Sequence, residues 1–230
     1  VRKALYNTGY YTFLGVPLQL ATAFSLALLL NQNVKGQSIF RTLYYLPSIT
    51  PAVASAVVWV QILNPQFGVL NEILGWLGLG PIKWLFDTTW VKPAFILMSL
   101  WFVGPGMIIF LAGLQGVPRE VIEAAQIDGA SAWQRFWNVT VPVISPVVFF
   151  NLVMGIIGSF QVFTSAFIMT RGGPQNATLF MVLWIYRNAF ELFRMGYAAT
   201  LAWILFLIIM AFTALQFSIA NRWVYYEGKV

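Results

Sequence analysis

Five apolar stretches, each about the length of a membrane crossing and each free of Asp, Glu, Lys and Arg, constrain this sequence more than any other feature. They run from Thr8 to Leu30, Leu43 to Leu63, Pro93 to Leu114, Val143 to Ser165 and Thr200 to Ala220. A hydrocarbon core of about 30 Å takes roughly 20 helical residues to cross. Backbone amides inside that core find no water, so each stretch must satisfy its own hydrogen bonds, as an α-helix does. A closed barrel would show short segments of alternating polarity instead. The expected fold class is therefore all-α: a polytopic transmembrane helical bundle with five spans in this chain.

Composition agrees with lipid as the solvent. Of 230 residues, 60% are apolar and 9% charged, against about 45–50% and about 25% in an ordinary soluble domain. A core of this size cannot hide so much apolar surface. The absence of Cys and His removes disulfides, the usual zinc sites, thiol nucleophiles and the commonest general base. A net charge of +6 suits loops beside anionic lipid. The basic residues are dispersed rather than clustered between aromatics, which argues against nucleic acid.

Several spans hold helix-disturbing residues: Pro47 and Pro51 in the second, Gly104-Pro105-Gly106 in the third, Pro142 and Pro146 at the start of the fourth. Proline removes a donor and kinks a helix. Such kinks serve either as ordinary packing features or as hinges around a path. Between the second and third spans, Trp76, Trp84 and Trp90 suit an interfacial segment. Between the fourth and fifth, Arg171-Gly172-Gly173-Pro174 reads as a turn. Beyond it Leu179, Leu183, Tyr186, Phe190 and Phe193 recur at helical spacing, as in an interfacial helix. Basic residues do not orient the chain. Lys35, Arg41, Arg119, Arg135, Arg222 and Lys229 fall on one side, and Arg2, Lys3, Lys83, Lys92, Arg171, Arg187 and Arg194 on the other.

The most polar connection runs from Gly116 to Pro142 and divides into two short helices. Pro118 suits a first helical position, with Glu120 and Glu123 at the positive end of the helix. Asp128-Gly129 reads as a turn. Ser131 or Asp128 can cap the second helix, and Pro142 is expected to stop it. Ala124 and Ala125 offer a small-residue surface to an approaching backbone. Physically this is either a docking knob for a soluble partner or an amphipathic helix lying on the bilayer.

Glu123-Ala124-Ala125, three residues, Gly129, nine residues, then Val139 to Pro142 closely resembles the EAA loop of binding-protein-dependent ABC transporter permeases. That family's loop ends Ile-x-Leu-Pro, and Val139 and Val141 depart from it conservatively. The likeness extends over nearly the whole chain. Phe40 to Pro47, Asn64 to Gly68, Gly172 to Pro174, Tyr186 with Ala189-Phe190 and Gly196-Tyr197-Ala198, and the tail Arg222 to Glu227 resemble the sugar-importing branch, of the maltose and glycerol-phosphate type. The family has six spans, which with Val1 in first position implies that the first is missing here.

The resemblance implies one permease domain over residues 1–230, in a bacterial or archaeal plasma membrane. It places the EAA loop in the cytoplasm, seated in a groove on an ATPase subunit, with Glu123, Ala124, Ala125, Asp128, Gly129 and Pro142 as coupling residues. Regions 64–92 and 166–199 would face an extracytoplasmic binding protein. Implied partners are a second permease and a pair of ATPase subunits. No Gly-x-x-x-x-Gly-Lys-Ser/Thr loop occurs here, so ATP and magnesium belong to the ATPase and this chain needs no cofactor. An uncharged solute such as a sugar fits spans without Asp, Glu, Lys or Arg. In the fourth span Asn151, Ser159, Gln161, Thr164 and Ser165 are candidate substrate-path groups, although such residues also hold helices together. Rival readings are a permease for glycerol phosphate or a peptide, an ion-coupled transporter and a membrane enzyme. The last two lack the intramembrane carboxylates their chemistry calls for.

Overall fold

Helices account for every spanning segment in the structure, a computed structural model that describes residues 1–32 and 35–225. In chain order they are α1 (Arg2–Leu30), α2 (Gln37–Ile49), α3 (Ala52–Ile62), α4 (Val69–Trp76), α5 (Val91–Leu100), α6 (Gly104–Gln115), α7 (Arg119–Ile127), α8 (Ala132–Arg135), α9 (Val141–Phe160), α10 (Met181–Tyr186) and α11 (Met195–Ala220). Tyr226, Glu227 and Lys229 lie outside the described residues.

The five apolar runs become three unbroken helices and two broken ones. α1, α11 and a continuous helix from Ala132 to Phe160 are each long and apolar enough to cross a bilayer. α2 and α3 meet at 101°, and α5 and α6 at 47°. The second run was expected as a kinked span, but its break is nearly a right angle. Thr50 adopts an extended backbone (ψ 132°) before Pro51, the conformation a residue preceding proline prefers, and Pro51 has no N–H to continue the ladder. Pro17, by contrast, sits within an unbroken α1.

Two apolar clusters lie one above the other along the bundle. At the end bearing the 116–131 loop, Ala23, Ala27 and Leu30 of α1 pack on Val103, Met107, Phe110 and Leu114 of the third run and on Ile144 of α9. At the far end, Tyr11 shares a cluster with Phe95 of α5, Ala56 and Trp59 of α3, and Phe180, Met181 and Leu183. α6 approaches α9 closely because Gly113 presents no side chain to Val147. The C-terminal stretch returns to α9: Val224 packs near Phe149, and the Tyr225 N–H donates to Ser145 Oγ at 2.8 Å.

Buried amides organise the irregular far end, where an unpaired backbone group would be costly. Asn71 donates to the Ile82 carbonyl (2.9 Å) and accepts from the Ile82 N–H (3.1 Å) and from Trp84 Nε1 (2.9 Å). Trp84 is therefore buried and satisfied rather than interfacial, whereas Trp76 and Trp90 are exposed. Asn7 donates to the carbonyls of Asn176 and Leu179, and Thr8 accepts from the Met181 N–H. These contacts draw the stretch expected as an interfacial helix into the bundle. Leu179 and Leu183 are buried, while Phe190 and Phe193 remain exposed.

The third run, at its turn, touches the second within α2. A Cβ on Gly104 would lie 2.4 Å from the Tyr44 carbonyl oxygen and 2.9 Å from Tyr45 Cα, both backbone atoms that cannot swing aside. Gly104→Ala should therefore cost about 1–3 kcal/mol through overpacking and lower the unfolding temperature in detergent. Gly9→Ala meets nothing within 4 Å and serves as the control; equal melting of the two variants would refute the contact.

Candidate functional site

Two features stand out, a polar loop at one end and a cavity within the bundle, and one helix joins them. The loop is built from local sequence. Pro118 occupies the position before α7 rather than its first turn, with extended backbone. Val117 is buried and Ile122 packs on the neighbouring apolar cluster, so α7 is held at its base while Val121, Glu123 and Ala124 stay exposed. Ala125 is half-buried. Ile127 is an apolar side chain left 87% exposed.

Gly129 ends α7 in a Schellman motif. Its N–H bonds the Gln126 carbonyl and the Ala130 N–H bonds the Ala125 carbonyl, each at 3.0 Å. That pattern needs a left-handed residue at Gly129 (φ 78°), a conformation glycine adopts without steric cost. Ser131 then opens α8 with a reciprocal capping box. Its Oγ accepts from the Gln134 N–H (3.3 Å), and its own N–H donates to Gln134 Oε1 (2.7 Å). Ser131, not Asp128, is the cap; Asp128 lies exposed at the C-terminal end of α7.

Pro142 does not stop this second helix. Residues Phe136–Thr140 are π-wound, the Val141 N–H reaching back to the Phe136 carbonyl, and α9 continues from there through Pro142. Helices α8 and α9 thus form one rod from Ala132 to Phe160. A proline ring clashes with the carbonyl four residues earlier in regular α winding, and a wide turn just before it is one way to keep the helix continuous.

The rod leads to a cavity of about 540 Å³ between α1, α5, α6 and α9. Among the candidate substrate-path residues, Asn151, Ser159 and Ser165 line it, and Gln161 and Thr164 do not. The reason is local: α9 ends at Phe160, and the turn that follows leaves Gln161 exposed. Asn151 donates to the Val147 carbonyl at 3.0 Å, and a Cβ on Gly106 would lie 3.3 Å from its Oδ1. Ser159 Oγ lies 2.9 Å from Thr12 Oγ1 and 2.8 Å from the Ile156 carbonyl, so it also ties α9 to α1.

Sequence reasoning missed the opposite wall. Tyr11 and Gln19 of α1 and Ser99 of α5 face the cavity, with the rings of Phe95, Phe102 and Phe150 beside them. The Tyr11 hydroxyl lies against the Ser99 and Gln19 side chains. Gln19 carried a usable signal as the one carboxamide within the first apolar run. Among the described residues, no Asp, Glu, Lys or Arg side chain lines the cavity.

Residues 19–225 match the family described as binding-protein-dependent transport system inner membrane component. The chain belongs to that family. This inner-membrane component is 42% identical to the probable ABC transporter permease protein YesP of Bacillus subtilis, over 99% of the chain and 74% of that protein. It is 35% identical to the lactose transport system permease protein LacF of Rhizobium radiobacter, over 96% and 76%. To the trehalose/maltose transport system permease protein MalF of Thermococcus litoralis it is 32% identical, over 92% and 72%. Its fold superposes with a TM-score of 0.85 on a chain of a bacterial ABC transporter involved in import of the acidic polysaccharide alginate, at 25% identity, covering 96% of this chain and 78% of that one. Another structure of the alginate transporter, matched equally well, is in complex with an alginate pentasaccharide-bound periplasmic protein. The multi-pass reading and the resemblance to binding-protein-dependent permeases both stand on these findings.

The left-handed turn makes a direct prediction about this family member's loop. Nothing crowds a Cβ at Gly129, so substitution acts through backbone strain, worth about 1–2 kcal/mol. Gly129→Leu should speed amide exchange at residues 126–131, while Gly129→Asn, which tolerates the left-handed region, should stay near wild type. Identical protection in both variants would show that the turn conformation is unimportant.

Proposed function

We propose that this chain forms half of the translocation path of an ATP-driven importer for an uncharged carbohydrate. The observation that carries the reading is a largely apolar, aromatic cavity with several polar groups and, among the described residues, no charged side chain, whose α9 wall runs without interruption into the 116–142 loop. Hydroxyl and carboxamide groups (Tyr11, Gln19, Ser99, Asn151) suit sugar hydroxyls, and the phenylalanine rings suit the apolar faces of pyranose rings. Relatives named for lactose and trehalose/maltose support the class. Among the described residues of this wall, a phosphorylated or acidic solute would find no cation, and an ion-coupled carrier no carboxylate.

The loop 116–142 couples the chain to a separate ATPase. Glu123, Ala124, Asp128 and Gly129 present the exposed surface of the knob, and Ala125 and Pro142 shape its ends. ATP and magnesium sit on a pair of such subunits, a second permease completes the path, and a binding protein delivers sugar at the far end. ATPase closure moves the knob, and the rod carries that displacement to the cavity, switching the bundle between inward-open and outward-open packings. The setting is a bacterial or archaeal plasma membrane.

Uptake by the assembled transporter in proteoliposomes tests both halves. Loss of a hydrogen bond to a bound sugar is worth about 0.5–1.5 kcal/mol, so Tyr11→Phe and Asn151→Ala should each slow uptake about two- to tenfold, with ATP hydrolysis still stimulated by the loaded binding protein. Gln161→Ala should be silent. Gly129→Leu should lose both uptake and stimulated hydrolysis while remaining in the membrane. Normal uptake in the two cavity variants would sink the sugar wall, and normal coupling in Gly129→Leu would sink the docking role.

A further inference from the structure

The wide turn between the knob and the rod has a consequence for side-chain direction. Relative to regular α winding it adds one residue, which rotates everything before it by about 100° around the axis. In the observed register Phe136 faces α1: its ring centroid lies 6.2 Å from that of Phe24 at an interplanar angle of 30°. Phe24 in turn meets Phe110 of α6 edge-on at 5.3 Å. On the other side Phe136 stacks on Trp133 at 6.2 Å and meets Trp137 edge-on at 5.2 Å.

A line of rings therefore crosses from the loop into the bundle. Trp133 is 70% exposed, Phe24 packs on the cluster at the loop end, and Phe110 is fully buried. The line ends next to the cavity, which Ala23 of α1 and Ile109 of α6 help to line. The α8–α9 rod contributes only one wall of that cavity. Opening or closing it also requires α1 and α6 to move with α9, and the ring line is a contact that makes them do so.

We propose that Phe136 is a positioning residue for transport: aimed at Phe24 by the π turn, it hands displacement of the docking loop to α1 and α6, so that both walls move together. Pro142 maintains the register by disfavouring regular winding at residues 136–140. The idea rests on the docking role of the loop given above, and the two can fail separately. Without Phe136 the ATPase still closes on the knob, but the far wall no longer follows, and nucleotide is spent without sugar crossing.

The test is the number of sugar molecules moved per ATP hydrolysed by the complete transporter in proteoliposomes. This ratio does not depend on how much complex is recovered. Phe136→Leu keeps apolar bulk and removes the ring; an aromatic pair of this kind corresponds to a change of about fivefold. The ratio should fall by that factor while stimulated hydrolysis persists, and Phe136→Tyr should restore it. Phe24→Leu should give the same loss from the other side, and the double variant should be no worse than either single one. If Phe136→Leu does not assemble, Phe24→Leu alone decides. An unchanged ratio, a parallel fall of uptake and hydrolysis, or multiplicative losses in the double variant would overturn the proposal. Coupled Gly129→Leu would indict the docking role instead; uncoupled Gly129→Leu with a normal Phe136→Leu would indict only this contact.

Discussion

Inside hydrocarbon, a backbone N–H or C=O without a partner costs several kcal/mol, and every irregularity must be covered by protein or line a cavity. That requirement organises the whole bundle. The breaks at residues 50–51 and 101–103 are set by proline and glycine, and the two broken runs lean on one another at Gly104 and Tyr44. The irregular stretch beyond α9 is held by α1 through Asn7 and Thr8. The departures beyond α5 and beyond α9 either meet another segment or border the cavity, whereas Thr50 and Pro51 stand exposed. Phe102 and Val103, in the break between α5 and α6, and Val162 and Ser165, beyond the end of α9, belong to the cavity wall.

The same requirement explains why the 116–142 loop and the cavity wall are one continuous piece. A helix that stopped at Pro142 would have exposed its last carbonyls near the membrane boundary. The π turn keeps those groups within the helix and makes α8 and α9 one piece. A knob stiffened by the Schellman turn and the capping box thus sits on a rod rather than a hinge. Rigid parts joined at few contacts favour discrete rearrangements over gradual deformation, which suits alternating access.

Much of this was legible in the sequence because lipid writes long signals. The five apolar runs, the loop between the third and fourth and the Gly129 turn all follow from residue type and spacing, while the choice of Ser131 over Asp128 as the cap came only from the structure. The angle at Thr50-Pro51 was not legible: Pro17, Pro47 and Pro146 sit inside helices, and only packing separates a tolerated proline from a break. The continuation through Pro142 was hidden for the same reason. The cavity was half legible. Asn151, Ser159 and Ser165 lie in one apolar run, but Tyr11, Gln19 and Ser99 come from two other runs, which only the fold brings opposite them. Gln161 and Thr164 were misplaced because the sequence does not show where an apolar run stops being helix.

What the account needs above all is contact between the knob and a motor subunit. The chain has no cysteine, so Ile127→Cys introduces a single thiol at the most exposed apolar position of the loop. Treated with a short bifunctional thiol reagent in membranes holding the complete transporter, this variant should become covalently joined to the ATPase subunit and resist a membrane-impermeant thiol label added from outside. Labelling from outside, with no ATPase adduct, would contradict the account.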